Sequence, residues 1–122
     1  MSYDEQNIFA KILRGEIPCK KIYEDEYVLS FYDINPQKKI HALVIPKGKY
    51  IDLDDFILNA SQNEMVGLLR GINLVATKLK ISIKNGKGYR ALANIGKDGG
   101  QEVPHLHFHL FGGENVGKMV CE

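Results

Sequence analysis

The chain has 122 residues and a mass of 13.8 kDa, with 44% apolar and 25% charged side chains. That is the balance of one ordinary globular domain, long enough to bury roughly two-thirds of its unfolded surface without metal or disulfide staples. Sixteen basic against fifteen acidic residues leave a formal charge of +1, so there is no bulk electrostatic case for nucleic acid. The longest apolar run, Ala42 to Ile45, is far short of the ~20 residues that span a bilayer, and Met1 to Asn7 lacks a basic segment leading into an apolar one. These features exclude a membrane protein and predict a cytoplasmic one.

Asp4 to Arg14 reads as a short helix, with Ile8, Phe9, Ile12 and Leu13 on one stripe and Gly15 as its stop. Lys20 to Glu24 and Tyr27 to Tyr32 read as strands around the acidic turn Asp25–Glu26. Pro36 in Asp33-Ile-Asn-Pro36 breaks the chain, and His41 to Ile45 forms a third strand closed by Pro46. Ser61-Gln-Asn-Glu64 has capping-box spacing. Behind it Met65, Leu68, Leu69, Ile72, Val75, Ala76 and Leu79 follow helical periodicity, a longer apolar stripe than one small sheet needs. A Gly-rich turn at Asn85 to Gly88 leads to a fourth strand, Tyr89 to Asn94; after a loop at Gly96 to Gly100, His105 to Phe111 is the fifth. Five strands paired in hairpins with two helices predict one α+β domain, residues 1–122, on a mostly antiparallel sheet.

From Arg70 to Lys97 the chain carries seven Lys or Arg and no acidic residue, which is either a solvated face or a collar for an anionic substrate. Cys19 and Cys121 lie far apart in sequence with no CxxC spacing, which implies neither a disulfide framework nor a metal knuckle and fits a reducing compartment.

Three of the four histidines stand in His105-Leu-His107-Phe-His109. In a strand, alternation puts all three imidazoles on one face and Leu106, Phe108 and Leu110 on the other. Such a row could serve a metal or phosphorus chemistry. At ~3.3 Å per residue the outer two lie ~13 Å apart, so three in a row cannot easily share one tetrahedral zinc whose ligand nitrogens sit at ~2.1 Å; two neighbours could, with recruits such as His41 or a carboxylate. A neutral imidazole is instead a good nucleophile near pH 7, and the Gly-rich Asn94-Ile-Gly-Lys-Asp-Gly-Gly-Gln101 immediately upstream allows the close backbone approach that a phosphate needs. The phosphate reading is the better one, and no metal or cofactor is expected.

His105-Leu-His-Phe-His-Leu110, preceded by Gly99-Gly-Gln-Glu-Val103, resembles the His-φ-His-φ-His-φ signature of the histidine-triad (HIT) superfamily. Gly15-Glu-Ile-Pro18, Tyr23-Glu-Asp-Glu26, Asp33-Ile-Asn-Pro-Gln37 and His41-Ala-Leu-Val-Ile-Pro46 resemble its Hint branch. The likeness to the Fhit branch of dinucleoside polyphosphate hydrolases is weaker, since Gln is typical there at the place of Asn94. The galactose-phosphate uridylyltransferase branch is longer and has Gln at the place of His109.

The Hint resemblance implies a homodimer with one ten-stranded sheet that hydrolyses purine nucleoside 5′-phosphoramidates. Within it, His107 would attack the α-phosphorus to form a nucleotidyl-histidine, His109 would hydrogen-bond the phosphate or leaving group, the strand around His105 would fix the orientation of His107, and His41 would complete the histidine relay. Asp33 would bind the ribose, and Ile8, Phe9, Ile12, Phe31 and Ile34 would line the purine pocket. Asn94, Gly100, Gln101 and Val103 would contact the phosphate. Glu102 departs from the Ser common near the leaving group, and the tail Gly112 to Glu122 lacks the family's Trp-containing end. Dinucleoside polyphosphate hydrolysis, or a regulatory protein that binds purine nucleotides with weak turnover, remain alternatives.

Overall fold

The computed structural model describes residues 2–119. Its elements are α1 (Ile8–Leu13), β1 (Lys21–Glu24), β2 (Val28–Tyr32), β3 (Ile40–Pro46), α2 (Leu53–Asn59), α3 (Gln62–Lys78), β4 (Arg90–Leu92) and β5 (Phe108–Gly112). The strands form one antiparallel sheet in the order β1-β2-β3-β5-β4, with a register shift between Lys21 and Tyr23. Cys121 lies outside the described residues; Cys19 is a half-buried free thiol. No described helix is long and apolar enough to cross a membrane.

β3 sits at the centre and is buried on both faces, which explains its unbroken apolar run. Its residues alternate between two cores. Ala42 and Val44, with Val28, Leu106 and Leu110, pack under Leu68, Ile72 and Val75 of α3. Leu43 and Ile45, with Leu29 and Phe31, pack under Phe9 of α1. Ser30, fully buried among these strands, satisfies its hydroxyl by donating to the Leu43 carbonyl at 2.8 Å. α3 begins with the expected capping box at Ser61 and Glu64 and approaches β2 closely. A Cβ at Gly71 would come within 2.8 Å of the Val28 side chain, so this contact requires glycine.

Three helices stand where two are expected. α2 is capped by the Asp52 side chain accepting from the Asp55 N–H, yet it buries only Phe56 and therefore shows no apolar stripe. α1 starts at Ile8 rather than Asp4, because the Asn7 side chain accepts from Ala10 N–H and fixes the cap there. β4 is shorter than Tyr89–Asn94. β5 starts at Phe108 rather than His105, because the preceding backbone bonds elsewhere: His105 N–H to the Val103 carbonyl and Leu106 N–H to the Tyr50 carbonyl. Only His109 of the three clustered histidines lies in a strand. The apolar alternation nonetheless holds, since Leu106, Phe108 and Leu110 all join the α3 core.

Candidate active site

α1 covers only part of the second sheet face, and the histidines occupy the part next to it. β3 and β5 are in register with Leu43 opposite His109 and His41 opposite Phe111. The His107 and His109 rings meet edge to face at 5.2 Å between centroids, and Phe9 of α1 meets His107 the same way at 5.0 Å. His41 and His107 are buried, His109 half-buried and His105 wholly enclosed.

Hydrogen bonds determine which nitrogen of each ring carries the proton, because carbonyls only accept and backbone N–H groups only donate. His107 Nδ1 lies 2.7 Å from the His105 carbonyl, so it is protonated and Nε2 holds a lone pair. His105 Nε2 donates to the Pro46 carbonyl at 2.8 Å, so its Nδ1 accepts, from the Tyr3 hydroxyl at 2.6 Å. His41 Nδ1 accepts from the Gln37 N–H at 3.0 Å. Its proton is therefore on Nε2, which donates to His109 Nδ1 at 2.9 Å with Asp33 Oδ2 at 3.4 Å. His109 then carries its own proton on Nε2. Among the described residues neither His107 Nε2 nor His109 Nε2 has a hydrogen-bond partner, and no buried polar side-chain atom is left unsatisfied; these two nitrogens are the ones open to the cavity. One offers a lone pair, the other a proton.

Burial keeps the rings neutral. It pushes His105 down to about 4, and it pushes His109 down to about 4 with help from the neighbouring His107 and His41. His107 is also lowered by burial, against the pull of its carbonyl partner, Asp33 and Glu102. His41 is lowered by burial more than Asp33 raises it.

The cavity in front of these rings has a volume of ≈ 360 Å³. It gathers His41, His107, His109, Asp33, Asn94, Gly100, Glu102, Val103 and Phe9 of the expected set, and adds Asn35, Gln37 and Leu43. Leu43 follows from His41 by strand alternation, whereas nothing in the sequence marks Gln37 as the holder of His41. Other expected residues are elsewhere. Ile34 is 85% and Ile8 41% exposed, while Phe31 and Ile12 belong to the core behind Phe9. The Gln101 amide is occupied in bracing the loop: Oε1 accepts from Gly96 N–H, and Nε2 donates to the Ile51 and Val103 carbonyls. Within that loop Gly100, at φ +80°, takes a turn that a side chain would strain. Among the described residues no lysine or arginine lines the cavity, so the basic stretch does not form a collar on its wall; Lys80, Lys87 and Arg90 line a separate hollow.

Asp33, His41 and His109 present ligand atoms within 4.8 Å of one another, the cluster among the described residues that could hold a metal ion. The Gln37 N–H on His41 Nδ1 opposes this use. A metal needs a lone pair on His41 Nε2, and moving that proton to Nδ1 would set it against the Gln37 N–H.

A family model described as the HIT domain matches residues 14–116. A 13.2 kDa HIT-like protein of Azospirillum brasilense is 52% identical over 121 residues, 99% of this chain and 97% of that protein. A solved HIT family hydrolase from Clostridium thermocellum superposes with a TM-score of 0.84 at 37% identity, covering 97% of this chain and 99% of its own. A histidine triad nucleotide-binding protein from Candida albicans superposes at 0.76 with 32% identity, covering 96% and 85%.

Proposed function

The chain belongs to the HIT family, and from that premise we propose that it hydrolyses purine nucleoside 5′-phosphoramidates through a nucleotidyl intermediate on His107. The observation that carries this reading is the bond from His107 Nδ1 to the His105 carbonyl, which leaves a neutral imidazole with its Nε2 lone pair facing the cavity. Nε2 attacks the α-phosphorus while the P–N bond breaks; the leaving nitrogen, protonated from solvent, departs as the neutral amine, and His109 Nε2–H donates a hydrogen bond to a phosphoryl oxygen. Water then attacks phosphorus and loses a proton to the released amine, and His107 leaves with its electron pair. Positive charge on the nucleotidylated ring is met by the His105 carbonyl at Nδ1. Asp33, with Oδ1 held by the Asn35 N–H, presents a carboxylate for the ribose hydroxyls. Phe9, Leu43 and Val103 supply an apolar wall for the base. The N–H groups of Gly100 and Gln101 already donate to Lys97 and Gly96. Phosphate contacts are therefore assigned to the Asn94 amide and the Glu102 and Val103 N–H groups, fixed donors that need no reorganisation during the reaction.

The test is His107→Asn with adenosine 5′-phosphoramidate. AMP release should fall by several orders of magnitude while AMP affinity stays near the wild-type value, as removal of a nucleophile requires. Acid quenching of the wild type in mid-turnover should trap a nucleotidyl group on His107. Near-normal turnover by the variant overturns the mechanism. Nucleotide binding without turnover by the wild type would favour a regulatory, nucleotide-binding role. The same reading takes the working molecule to be a cytoplasmic homodimer.

A further inference from the structure

We propose that Tyr3 is a positioning residue for the histidine cluster: its hydroxyl fixes the tautomer of His105 and, through the His105 carbonyl, the ring of His107. This rests on the reading of His107 as nucleophile but not on the identity of the substrate. Tyr3 lies outside residues 14–116 and does not line the cavity, so neither the family match nor the site assigns it a role.

β5 begins only at Phe108, three residues after His105. The sheet ladder does not hold His105, although its carbonyl must be placed well enough to grip His107 Nδ1 at 2.7 Å. What holds residue 105 is its own N–H on the Val103 carbonyl and its enclosed ring. That ring is tied at both ends: Nε2–H to the Pro46 carbonyl at 2.8 Å, and Nδ1 to the Tyr3 hydroxyl at 2.6 Å. The Pro46 carbonyl can only accept, so Nδ1 must be an acceptor, and Tyr3 is the donor that matches it. Without that hydroxyl the wholly buried Nδ1 has no partner. Either the group stays unsatisfied or the ring changes tautomer and loses Pro46. The Tyr3 ring also meets the His105 ring edge to face at 5.6 Å. Burial raises the Tyr3 phenol above its ordinary value, which keeps the donor proton in place.

The segment carrying Tyr3 is anchored independently. Glu5 pairs with Lys49 at 2.8 Å and its carbonyl accepts from Arg14, while the Asn7 amide donates to the Asp4 carbonyl at 2.7 Å. Removing one hydroxyl should therefore not release the segment.

The experiment compares wild type, Tyr3→Phe and Tyr3→Leu by ring 15N–1H correlation spectra of the histidines and by kcat and KM on adenosine 5′-phosphoramidate. Wild-type His105 should be a single Nε2–H tautomer and His107 a single Nδ1–H tautomer. In Tyr3→Phe both signals should move toward tautomer mixtures. The kcat should fall ~10-fold, about 1.4 kcal/mol of barrier, with KM little changed. Tyr3→Leu should do no worse than about threefold beyond Tyr3→Phe, since the hydroxyl rather than the ring carries the effect. Wild-type spectra and kcat in Tyr3→Phe overturn the proposal, as does a loss confined to Tyr3→Leu, which would mark simple packing. If wild-type enzyme releases no AMP, the phosphoramidase reading fails, and the spectra alone decide whether Tyr3 sets the tautomers.

Discussion

Glu102 stands at the rim of a cavity whose wall contains two carboxylates, Asp33 and Glu102, and, among the described residues, no lysine or arginine. A carboxylate ~6 Å from an anionic leaving group, at an effective dielectric of ~20, opposes it by up to ~3 kcal/mol before solvent and salt reduce the figure. An amine leaving group takes up a proton as it departs and feels no such penalty. Glu102→Ser is therefore expected to raise the rate on diadenosine polyphosphate relative to adenosine phosphoramidate, measured as a ratio of kcat/KM values. An unchanged or lower ratio means that Glu102 plays no part in choosing the leaving group. The histidines make a second residue-level prediction. His105 and His109 have folded values near 4, below the ordinary 6.5, so the unfolded chain binds protons first. Their contribution to stability is complete above about pH 6.5 and is lost as pH falls toward 4, by at most about 1.4 kcal/mol per pH unit for the enclosed His105 ring and by less for half-buried His109, which solvent screens. Urea midpoints should drop across that window, and His105→Gln should flatten the drop; equal slopes in both proteins would contradict it.

At the scale of elements, what the sequence made legible depended on how strongly burial wrote its period into the chain. α3 carries an apolar stripe over four turns and a capping box, and its start is visible at Ser61. β3 reads as a central strand because both its faces are covered. α2 fails to announce itself since one buried side chain, Phe56, makes no pattern. The late start of β5 is invisible because alternation survives in the extended segment before it, where Tyr50 and Val103 replace the ladder as partners. The site divides along the same line. Histidine spacing exposes His105, His107 and His109 as a group, and strand alternation places Leu43 beside His41. The tautomers are set by Gln37, Pro46 and Tyr3, whose backbone groups or distance in sequence leave no local signal. Ile34 and Ile8, apolar and near the right motifs, do not line the cavity of this chain, and Ile34 is mostly exposed.

For the whole molecule, two surfaces are unfinished, one sheet edge and the outer face of the long helix. β4 is a three-residue edge strand, Arg90–Leu92, with no strand of the described residues beyond it in the sheet order, whereas the opposite edge, β1, is guarded by a register shift and by Lys21 and Glu24. On α3, opposite the stripe that packs on the sheet, Val66, Leu69 and Leu74 are 45%, 67% and 47% exposed. A two-fold axis that pairs β4 with its copy would extend the sheet to ten strands and bury this second stripe against its equivalent, the self-complementary arrangement that closed dimers use. Light scattering at micromolar concentration should then report about twice 13.8 kDa. Burying a leucine contributes about 1.5–3 kcal/mol, and two-fold symmetry counts each change twice, so Leu69→Glu should leave the chain folded by circular dichroism but shift it to the monomer mass. A wild-type monomer with full activity, or a Leu69→Glu protein that stays dimeric, would place the second copy elsewhere or remove it from the working molecule.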